Sequence, residues 1–389
     1  MYATILVELL QGIGRFLINP LFYLTIMFAV LLGYTRVRRE RRFFHIRVAN
    51  GWSELKSSLT GGLLVSLVLS LVIVAAGLAV TPQFLLVLSV ITIVGMILYT
   101  LHLLSSVILI TASFMVLVVL NQTDMAFTFM GIEVDGAVWN DASVVPLCIL
   151  AGLLVMVEGW LIRKKGAYFA SPILEKTKRG MKAVAYLSKS VWLLPLLLVV
   201  PGEGISSYVP YWPQFTLGEE SFSLVLFPLV IGFQQKVRKT LPIYFYPKLA
   251  RTVTLLGVAI TLGGITGYFM KEAAFIMLLA GSLIRLLITL QYKMQERADV
   301  YAVAPSSNGA MIAAVLPNSP AEKMGLVTGE VIKKVNGREV QTERELYEAL
   351  QVNAAHCKIE VLDHHQELRL TQHVVHSDDH HGIGLLLAR

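Results

Sequence analysis

The chain has 389 residues, which is enough for more than one domain, and only 15% of them are charged. Soluble proteins carry about 25% charged residues, and the mean hydropathy of this chain is +0.66, so the composition excludes a wholly soluble protein. The net charge of +7 comes from basic residues beside apolar runs, which indicates the inner loops of a membrane protein and not a nucleic-acid-binding surface. Two cysteines, Cys148 and Cys357, provide no disulfide framework.

Apolar runs recur over the first three quarters of the chain, and most are long enough to cross about 30 Å of hydrocarbon as helices. We predict eight or nine crossings in an α-helical multi-pass membrane domain of residues 1–295, with 188–202 and 222–235 as the shortest runs. The segment before Tyr34 has neither a basic start nor a small-residue cleavage site, so we expect no cleaved signal peptide. The predicted spans are 16–34, 59–80, 84–103, 105–120, 144–162, 188–202, 222–235, 253–270 and 273–291.

Charges between the spans predict their orientation, because cytoplasmic loops are enriched in Lys and Arg. Basic residues fill 36–47, 163–189 and 236–251, whereas 121–143 and 202–221 contain acidic residues and no Lys or Arg. This alternation divides the apolar stretch from residue 84 to residue 120 into two spans that meet near a turn. It also predicts a cytoplasmic C-terminal region and an N-terminus on the outside.

Few ionisable residues fall inside the predicted spans. Glu158 and Arg285 lie near the inner ends of their spans, and we interpret them as side chains that each reach out to the interface. Transporters use deeply placed acidic residues or paired broken helices, and neither is evident here. The sequence therefore offers little for a transport site.

The composition becomes that of a soluble domain after about Glu296, so we predict a second domain of residues 296–389. Ser319-Pro320 predicts the start of a short helix, and Asn336-Gly337 predicts a tight hairpin turn. Thr342-Glu-Arg-Glu345 has the pattern of a capping box at the start of a second helix. Strands are predicted at 300–304, 310–316, 331–335, 339–340, 358–362 and 367–375.

The segment Ser319-Pro-Ala-Glu-Lys-Met-Gly325, followed by Gly329-Glu-Val-Ile-Lys-Lys-Val-Asn-Gly337, resembles bacterial PDZ domains, with Glu330 where the family usually has Asp. The resemblance implies a small α+β fold, a partly open β-barrel or sandwich with two helices, after the membrane domain. It also implies a cytoplasmic module that binds peptides by adding a strand to a sheet edge.

In PDZ domains the peptide lies between the second helix and the strand that follows the carboxylate-binding loop. By order along the chain, the resemblance implies a groove formed by Tyr301, Ala302, Val303, Ala304, Leu346 and Leu350. The two leucines fit the core equally well. Because 301–304 contains no glycine, a C-terminal carboxylate, an internal peptide and a folded partner all remain open as ligands.

Two features near the end of the chain have competing interpretations. Gly382-Ile-Gly-Leu385 resembles the usual carboxylate loop but comes at the wrong end of the domain, so we favour a closing strand over a permuted binding loop. The spacing of His373, His376, Asp378, Asp379, His380 and His381 matches no standard zinc pattern. We therefore predict a polar turn, with no metal and no cofactor.

Patterns that carry catalysis are missing from the sequence. An intramembrane metalloprotease needs His-Glu-x-x-His within a span, but His102, which is the histidine inside a predicted span, is followed by two leucines. The sequence has no phosphate-binding loop and no dinucleotide fingerprint, and it has no room for a serine-protease domain. We expect no enzyme and no catalytic residues.

Asn19-Pro-Leu-Phe-Tyr23, then Gly33-Tyr-Thr-Arg-Val-Arg-Arg-Glu-Arg-Arg42, then a multi-pass region with a terminal PDZ domain, resembles the MinJ family of Gram-positive bacteria. The resemblance implies a membrane adaptor of division-site selection, located at septa and poles. It also implies protein partners: the polar scaffold DivIVA, the MinC–MinD inhibitor and other divisome proteins, besides the lipid bilayer. Two alternatives remain, namely a non-catalytic accessory or substrate-sensing subunit of a membrane protease and a transporter with a PDZ regulatory domain.

Overall fold

The protein forms a helical region followed by a sheet-rich PDZ region, which confirms the predicted fold class. A large apolar core fills the helical region and a smaller one fills the PDZ region. The computed structural model describes residues 13–14, 16–123, 127–129, 132–134, 144–177, 180–201, 214–217, 220–297, 300–306, 308–352, 356–374 and 383–388.

Among the described residues, six helices are long and apolar enough to cross a membrane, and the second of them is formed by α2 and α3 together. Prolines set two helix starts: Asn19 caps α1 ahead of Pro20, and Thr81 caps α4 ahead of Pro82. The described helices are α1 (Pro20–Phe44), α2 (Ser53–Thr60), α3 (Leu63–Ala75), α4 (Pro82–Ile97), α5 (Ser106–Thr123), α6 (Val144–Lys165), α7 (Pro242–Thr266), α8 (Lys271–Gln295), α9 (Pro320–Lys323) and α10 (Glu343–Gln351).

The described strands form three sheets. A two-stranded sheet pairs β1 with β2, a four-stranded sheet has the order β3-β4-β6-β5, and the PDZ sheet has the order β11-β10-β8-β7-β12 with β9 beside β8. The strands are β1 (Phe127–Phe129), β2 (Ile132–Val134), β3 (Ala170–Lys176), β4 (Lys182–Pro201), β5 (Gln214–Leu217), β6 (Glu220–Val237), β7 (Ala310–Val315), β8 (Val331–Val335), β9 (Arg338–Glu339), β10 (His356–Leu362), β11 (Leu368–Val374) and β12 (Leu385–Leu387).

Two of the predicted spans, 188–202 and 222–235, are wrong as helices. They lie in β4 and β6, which pair antiparallel from Tyr186–Val237 to Pro201–Phe222 as a long ribbon packed among the helices. A strand buried on both faces reads as a continuous apolar run and cannot be told from a buried helix by its pattern. At about 1.5 Å per residue these runs are too short to span as helices, whereas strands rise about 3.3 Å per residue.

Strand edges among membrane helices would leave backbone amides without partners, which costs several kcal/mol per group. Polar atoms of the helical region reduce this cost, because they bond to the ribbon at both of its edges. Three hydrogen bonds do so: from Leu197 N to Ser70 Oγ (2.9 Å), from Val80 N to Val199 O (2.8 Å) and from Gly232 N to Leu104 O (2.9 Å). Gly232 is required here, because a Cβ atom would collide with the Leu104 side chain.

The predicted span 84–103 is not one helix. Helix α4 ends at Ile97, and a 3-10 turn at Leu101–Leu103 leads the chain back into α5. Tyr99 takes a left-handed conformation (φ 57°) within this reversal. The chain therefore turns a few residues before the predicted position, and α4 is shorter than the six spanning helices.

Glu158 and Arg285 form a buried ion pair, so their interpretation as separate interfacial side chains is wrong. Arg285 Nη2 donates to Glu158 Oε1 at 2.5 Å, and Ser105 Oγ donates to Glu158 Oε2 at 2.6 Å. Glu158 is completely buried, and Arg285 is 4% exposed. The pair joins α6 to α8 and to the start of α5.

The basic motif at the end of α1 builds the contact between α1 and α2. Arg36 is buried and pairs with Glu40 (2.9 Å) and with Glu54 of α2. Gly33 lets the Gly51 carbonyl approach where a Cβ atom would collide. Part of the predicted basic loop is therefore neutralised inside the protein.

Glu296 lies directly after α8, at the predicted start of the second domain. Its carboxylate accepts hydrogen bonds from the backbone N–H groups of Arg238 (2.8 Å) and Lys239 (2.7 Å) and from Thr240 Oγ1 (2.9 Å). These bonds tie the end of α8 to the connection between β6 and α7. A boundary at residue 296 stays a prediction.

We expect Glu158→Leu to destabilise the protein by about 3–5 kcal/mol, because it leaves the Arg285 charge buried and unpaired. The double variant Glu158→Leu/Arg285→Leu should recover most of this loss. Thermal unfolding of the purified protein in detergent measures both. Arg344→Ala is the control, because its ion pair with Glu348 is exposed and contributes little. A double variant no more stable than the single one would contradict the prediction.

Candidate peptide-binding groove

Strand β12 lies at one edge of the PDZ sheet and offers a place for an added strand. It pairs antiparallel with β7 on one side, and no other described strand pairs with it. A sheet edge of this kind presents unpaired backbone N–H and C=O groups to an extended peptide. A strand is present at Leu385–Leu387 and forms an edge of the sheet, which agrees with the predicted closing strand and leaves the alternative of a binding element open, while Gly382 lies outside the described residues.

The direction of the β12 backbone follows from its bonds to β7. Gly384 O accepts from Leu316 N at 2.8 Å, and Ala388 N donates to Met311 O at 2.9 Å. In a strand, the backbone N–H and C=O groups of successive residues point to opposite edges. Because Gly384 and Ala388 bond to β7, the backbone groups of Leu385 and Leu387 face the open edge.

The side chains of β12 alternate between two environments. Leu387 is buried in the PDZ core, and Leu385 is half-buried against the same core. Leu386 faces the opposite side of the sheet and packs in a separate cluster with residues of the helical region. The strand therefore connects the candidate groove to the rest of the protein through its back face.

Helix α10 starts at the predicted capping box. Thr342 Oγ1 accepts from Glu345 N, and Glu345 Oε2 accepts from the backbone N–H of Gln341 at 2.8 Å and of Thr342 at 3.3 Å. The bond from the Gln341 N–H lowers the pKa of Glu345, because it favours the charged carboxylate. The helix start is thus fixed by local sequence.

The two leucines predicted on this helix have different environments. Leu346 is 3% exposed and belongs to the PDZ core, whereas Leu350 is half-buried at the margin of that core. Tyr347 lies three residues before Leu350, on the same stripe of the helix, and is 43% exposed. Tyr347 was not among the predicted groove residues, although its spacing of three residues from Leu350 places both on one face of the helix.

Residues 301–304 do not lie where a peptide-holding strand would. Ala302 N donates to Arg238 O at 2.8 Å, and Val184 N donates to Val303 O at 2.9 Å. Val303 is fully buried against β4. The interpretation of Tyr301, Ala302, Val303 and Ala304 as the groove strand does not fit this placement, because the segment makes an isolated bridge to β4 of the helical region.

A small apolar cluster joins the PDZ sheet to the helical region. The register of β7 and β12 shifts at Ala313, which is the extra residue between Ile312 and Ala314. The Tyr186 hydroxyl donates to the Ala313 carbonyl at 2.8 Å in this buried contact. The cluster contains Phe44, Val184, Tyr186, Val303, Ala313, Ala314 and Leu386.

Charged groups support the same contact. Glu175 accepts hydrogen bonds from Lys236 Nζ (2.7 Å), from Arg238 Nε (2.6 Å) and from the Tyr301 hydroxyl (3.3 Å). Burial alone would raise the pKa of Glu175, but the bonds from Arg238 and Lys236 outweigh it and hold the pKa below its usual value.

In the described part of the chain, no three His, Cys, Asp or Glu side chains gather into a possible metal site. His373 lies in β11, paired with Cys357. His376 and the run from Asp378 to His381 lie outside the described residues.

Comparisons with known proteins match both parts of the chain. The PDZ domain family matches residues 311–362. The cell division topological determinant MinJ of Bacillus subtilis (strain 168) is 31% identical over 385 residues, which cover 98% of this chain and 96% of that protein. The probable cell division topological determinant MinJ of Lacticaseibacillus paracasei is 25% identical over 389 residues, which cover 95% and 96%. A probable periplasmic serine endoprotease DegP-like of Marinomonas sp. (strain MWYL1) is 52% identical over 40 residues, which are 10% of this chain.

We expect Tyr186→Phe to loosen the contact between the PDZ sheet and the helical region, because it leaves the Ala313 carbonyl buried without a donor. A hydrogen bond of this kind contributes about 1 kcal/mol, so amide exchange of Val184 and Ala302 should quicken about fivefold. Hydrogen–deuterium exchange mass spectrometry measures this rate. Tyr292→Phe, which removes a hydroxyl bonded to Thr252 between α7 and α8, should leave these amides unchanged.

Proposed function

Because this chain belongs to the MinJ family of cell-division topological determinants, we propose that it is a membrane-anchored adaptor of division-site selection. The observation that carries the proposal is the open edge of β12, whose back face is fixed to the helical region through Leu386 and Tyr186. Such an edge binds extended segments of other proteins. The membrane helices hold the binding edge at the bilayer.

We propose that the PDZ region faces the cytoplasm. Arg163, Lys164 and Lys165 end α6, and Lys248 and Arg251 lie near the start of α7, so basic residues gather at one end of the helix pair. The positive-inside rule places this end at the cytoplasmic surface. In this topology, residues 1–295 form the membrane domain and residues 296–389 form the cytoplasmic PDZ domain.

We propose that the ligand lies between β12 and α10, along Leu385, Leu387, Tyr347 and Leu350. Backbone groups of β12 would form hydrogen bonds with the backbone of the ligand, whatever the ligand's sequence. Apolar side chains on the helix would determine which ligand side chains bind. An adaptor of this kind works by binding, so no catalytic group is required.

The partners implied by the family resemblance are a DivIVA-like polar scaffold and a MinD-like ATPase with its inhibitor MinC. A single adaptor that binds both would place the inhibitor where the scaffold gathers, at septa and poles. The full-length coverage of the Bacillus subtilis relative supports this role over a protease-accessory role, since the protease-like similarity extends over 40 residues alone.

We expect a fluorescent fusion of the full chain to concentrate at septa and poles of dividing cells. In cells that lack the polar scaffold, the signal should spread evenly over the membrane, because the anchor alone carries no positional information. Quantitative microscopy of the septal-to-lateral intensity ratio measures this change. An even membrane signal in both strains would overturn the adaptor role.

We expect Leu350→Asp to weaken partner binding by about tenfold or more, because a carboxylate would be placed at the apolar margin of the groove. Leu370→Asp is the matched control: Leu370 is exposed on β11, at the opposite edge of the sheet. Binding of purified full-length variants to scaffold and ATPase measures the effect, with circular dichroism to confirm folding. If only the Leu370 variant lost partner binding, the ligand would bind at the β11 edge instead.

A further inference from the structure

A groove of about 600 Å³ opens on the outer surface of the helical region between α3, α6 and α7. Its walls are mostly apolar and include Val65 of α3, Met156 of α6 and Leu255 of α7. Leu255 is 69% exposed, so the groove opens toward the position of the lipid chains. This volume is within the range of small-molecule sites, roughly 300–1,000 Å³.

The groove exists because α6 and α7 approach closely along its floor. Gly159 packs against Thr254 and the Ala250 carbonyl, and a Cβ atom at this position would collide with the Thr254 side chain. The close approach removes side-chain bulk from the floor, and α3 contributes Val65 to the other wall. The groove is therefore part of the helix packing and not a surface irregularity.

The basic end of the groove carries two guanidinium groups that form no ion pair with the residues the structure describes. Arg163 of α6 and Arg251 of α7 both line it and are exposed. In the described part of the chain neither pairs with a carboxylate, in contrast to Arg36 and Arg285. Their charges are thus available to an anion.

An aromatic ring separates the charged mouth from the apolar body of the groove. Trp160 lines the groove and is 37% exposed, and Lys164 Nζ lies 4.7 Å from the centre of its ring. Trp side chains favour the boundary between headgroups and acyl chains. The ring therefore marks the level at which a ligand would change from polar to apolar.

We propose that this groove is a binding site for an anionic phospholipid of the inner leaflet. An acyl chain lies along Val65, Met156 and Leu255, and the headgroup phosphate binds Arg163 and Arg251. Basic pockets between membrane helices on the cytoplasmic side bind anionic headgroups. The assignment to the inner leaflet rests on the topology proposed above; the site itself does not depend on the adaptor role.

Tryptophan quenching by brominated lipid tests the site in purified full-length protein. The protein is placed, one copy per nanodisc, in phosphatidylcholine with increasing fractions of phosphatidylglycerol brominated on its acyl chains. The Trp160 contribution is the difference between the wild type and Trp160→Phe. We expect brominated phosphatidylglycerol to quench it at a lower mole fraction than brominated phosphatidylcholine does.

Removal of either arginine should weaken this preference. Arg163→Gln and Arg251→Gln should each raise the mole fraction for half-quenching about fivefold, since a basic residue near an anionic surface contributes about one kcal/mol. Arg42→Gln is the matched control: it makes the same charge change at an exposed position near the end of α1 and should have no effect.

Three results would overturn the site. Equal quenching by both lipids in all variants would mean ordinary boundary lipid, and equal loss in the Arg42 variant would mean a general surface charge. No quenching of Trp160 by either lipid would mean that protein covers the groove. None of these results bears on cellular localisation, so the site and the adaptor role fail independently.

Discussion

The requirement that a buried charge be paired determines how the helical region is assembled. Leaving one member of a buried pair without its partner costs about 3–5 kcal/mol, so Glu158 and Arg285 bring α6 and α8 into one arrangement. Arg36 does the same for α1 and α2 through Glu40 and Glu54. Glu40 also accepts from Ser171 Oγ at 2.9 Å, which extends this network to the first residues of β3.

The same network leads from the membrane helices to the candidate groove. Strand β3 pairs with β4, Tyr186 of β4 bonds to Ala313 of β7, and β7 carries β12. Each step is a hydrogen bond, an ion pair or a strand pairing between described residues. Strand β12 is therefore attached to the helical region by these contacts, and not only by the chain that connects the two regions.

Local signals in the sequence predict much of this fold. Asn19 with Pro20, Ser319 with Pro320, and Thr342 with Glu345 each occupy the helix start that their chemistry favours. Asn336 takes the left-handed conformation expected of a tight turn. These features depend on neighbours within a few residues, which a sequence displays directly.

Features that depend on distant residues were not predicted. Glu158 and Arg285 are 127 positions apart, the open sheet edge lies on β12, where the sequence favoured a closing strand over a binding loop, and the groove between α3, α6 and α7 needs three helices at once. The ribbon of β4 and β6 reads as apolar spans because both of its faces are buried. In each case the structure depends on residues that are distant in the sequence and meet only in the fold.

The ribbon also has a consequence for biosynthesis. A lone pair of strands cannot enter the bilayer as a helix does, since its free edges would carry bare amides and carbonyls. Ser70, Val80 and Leu104, which satisfy those edges, all precede β4 along the chain and leave the ribosome first. Because synthesis starts at the N-terminus, the helical residues that bond to the ribbon edges are in place before the ribbon emerges. If these segments were reordered so that the ribbon came first, its edges would lack these bonds during insertion.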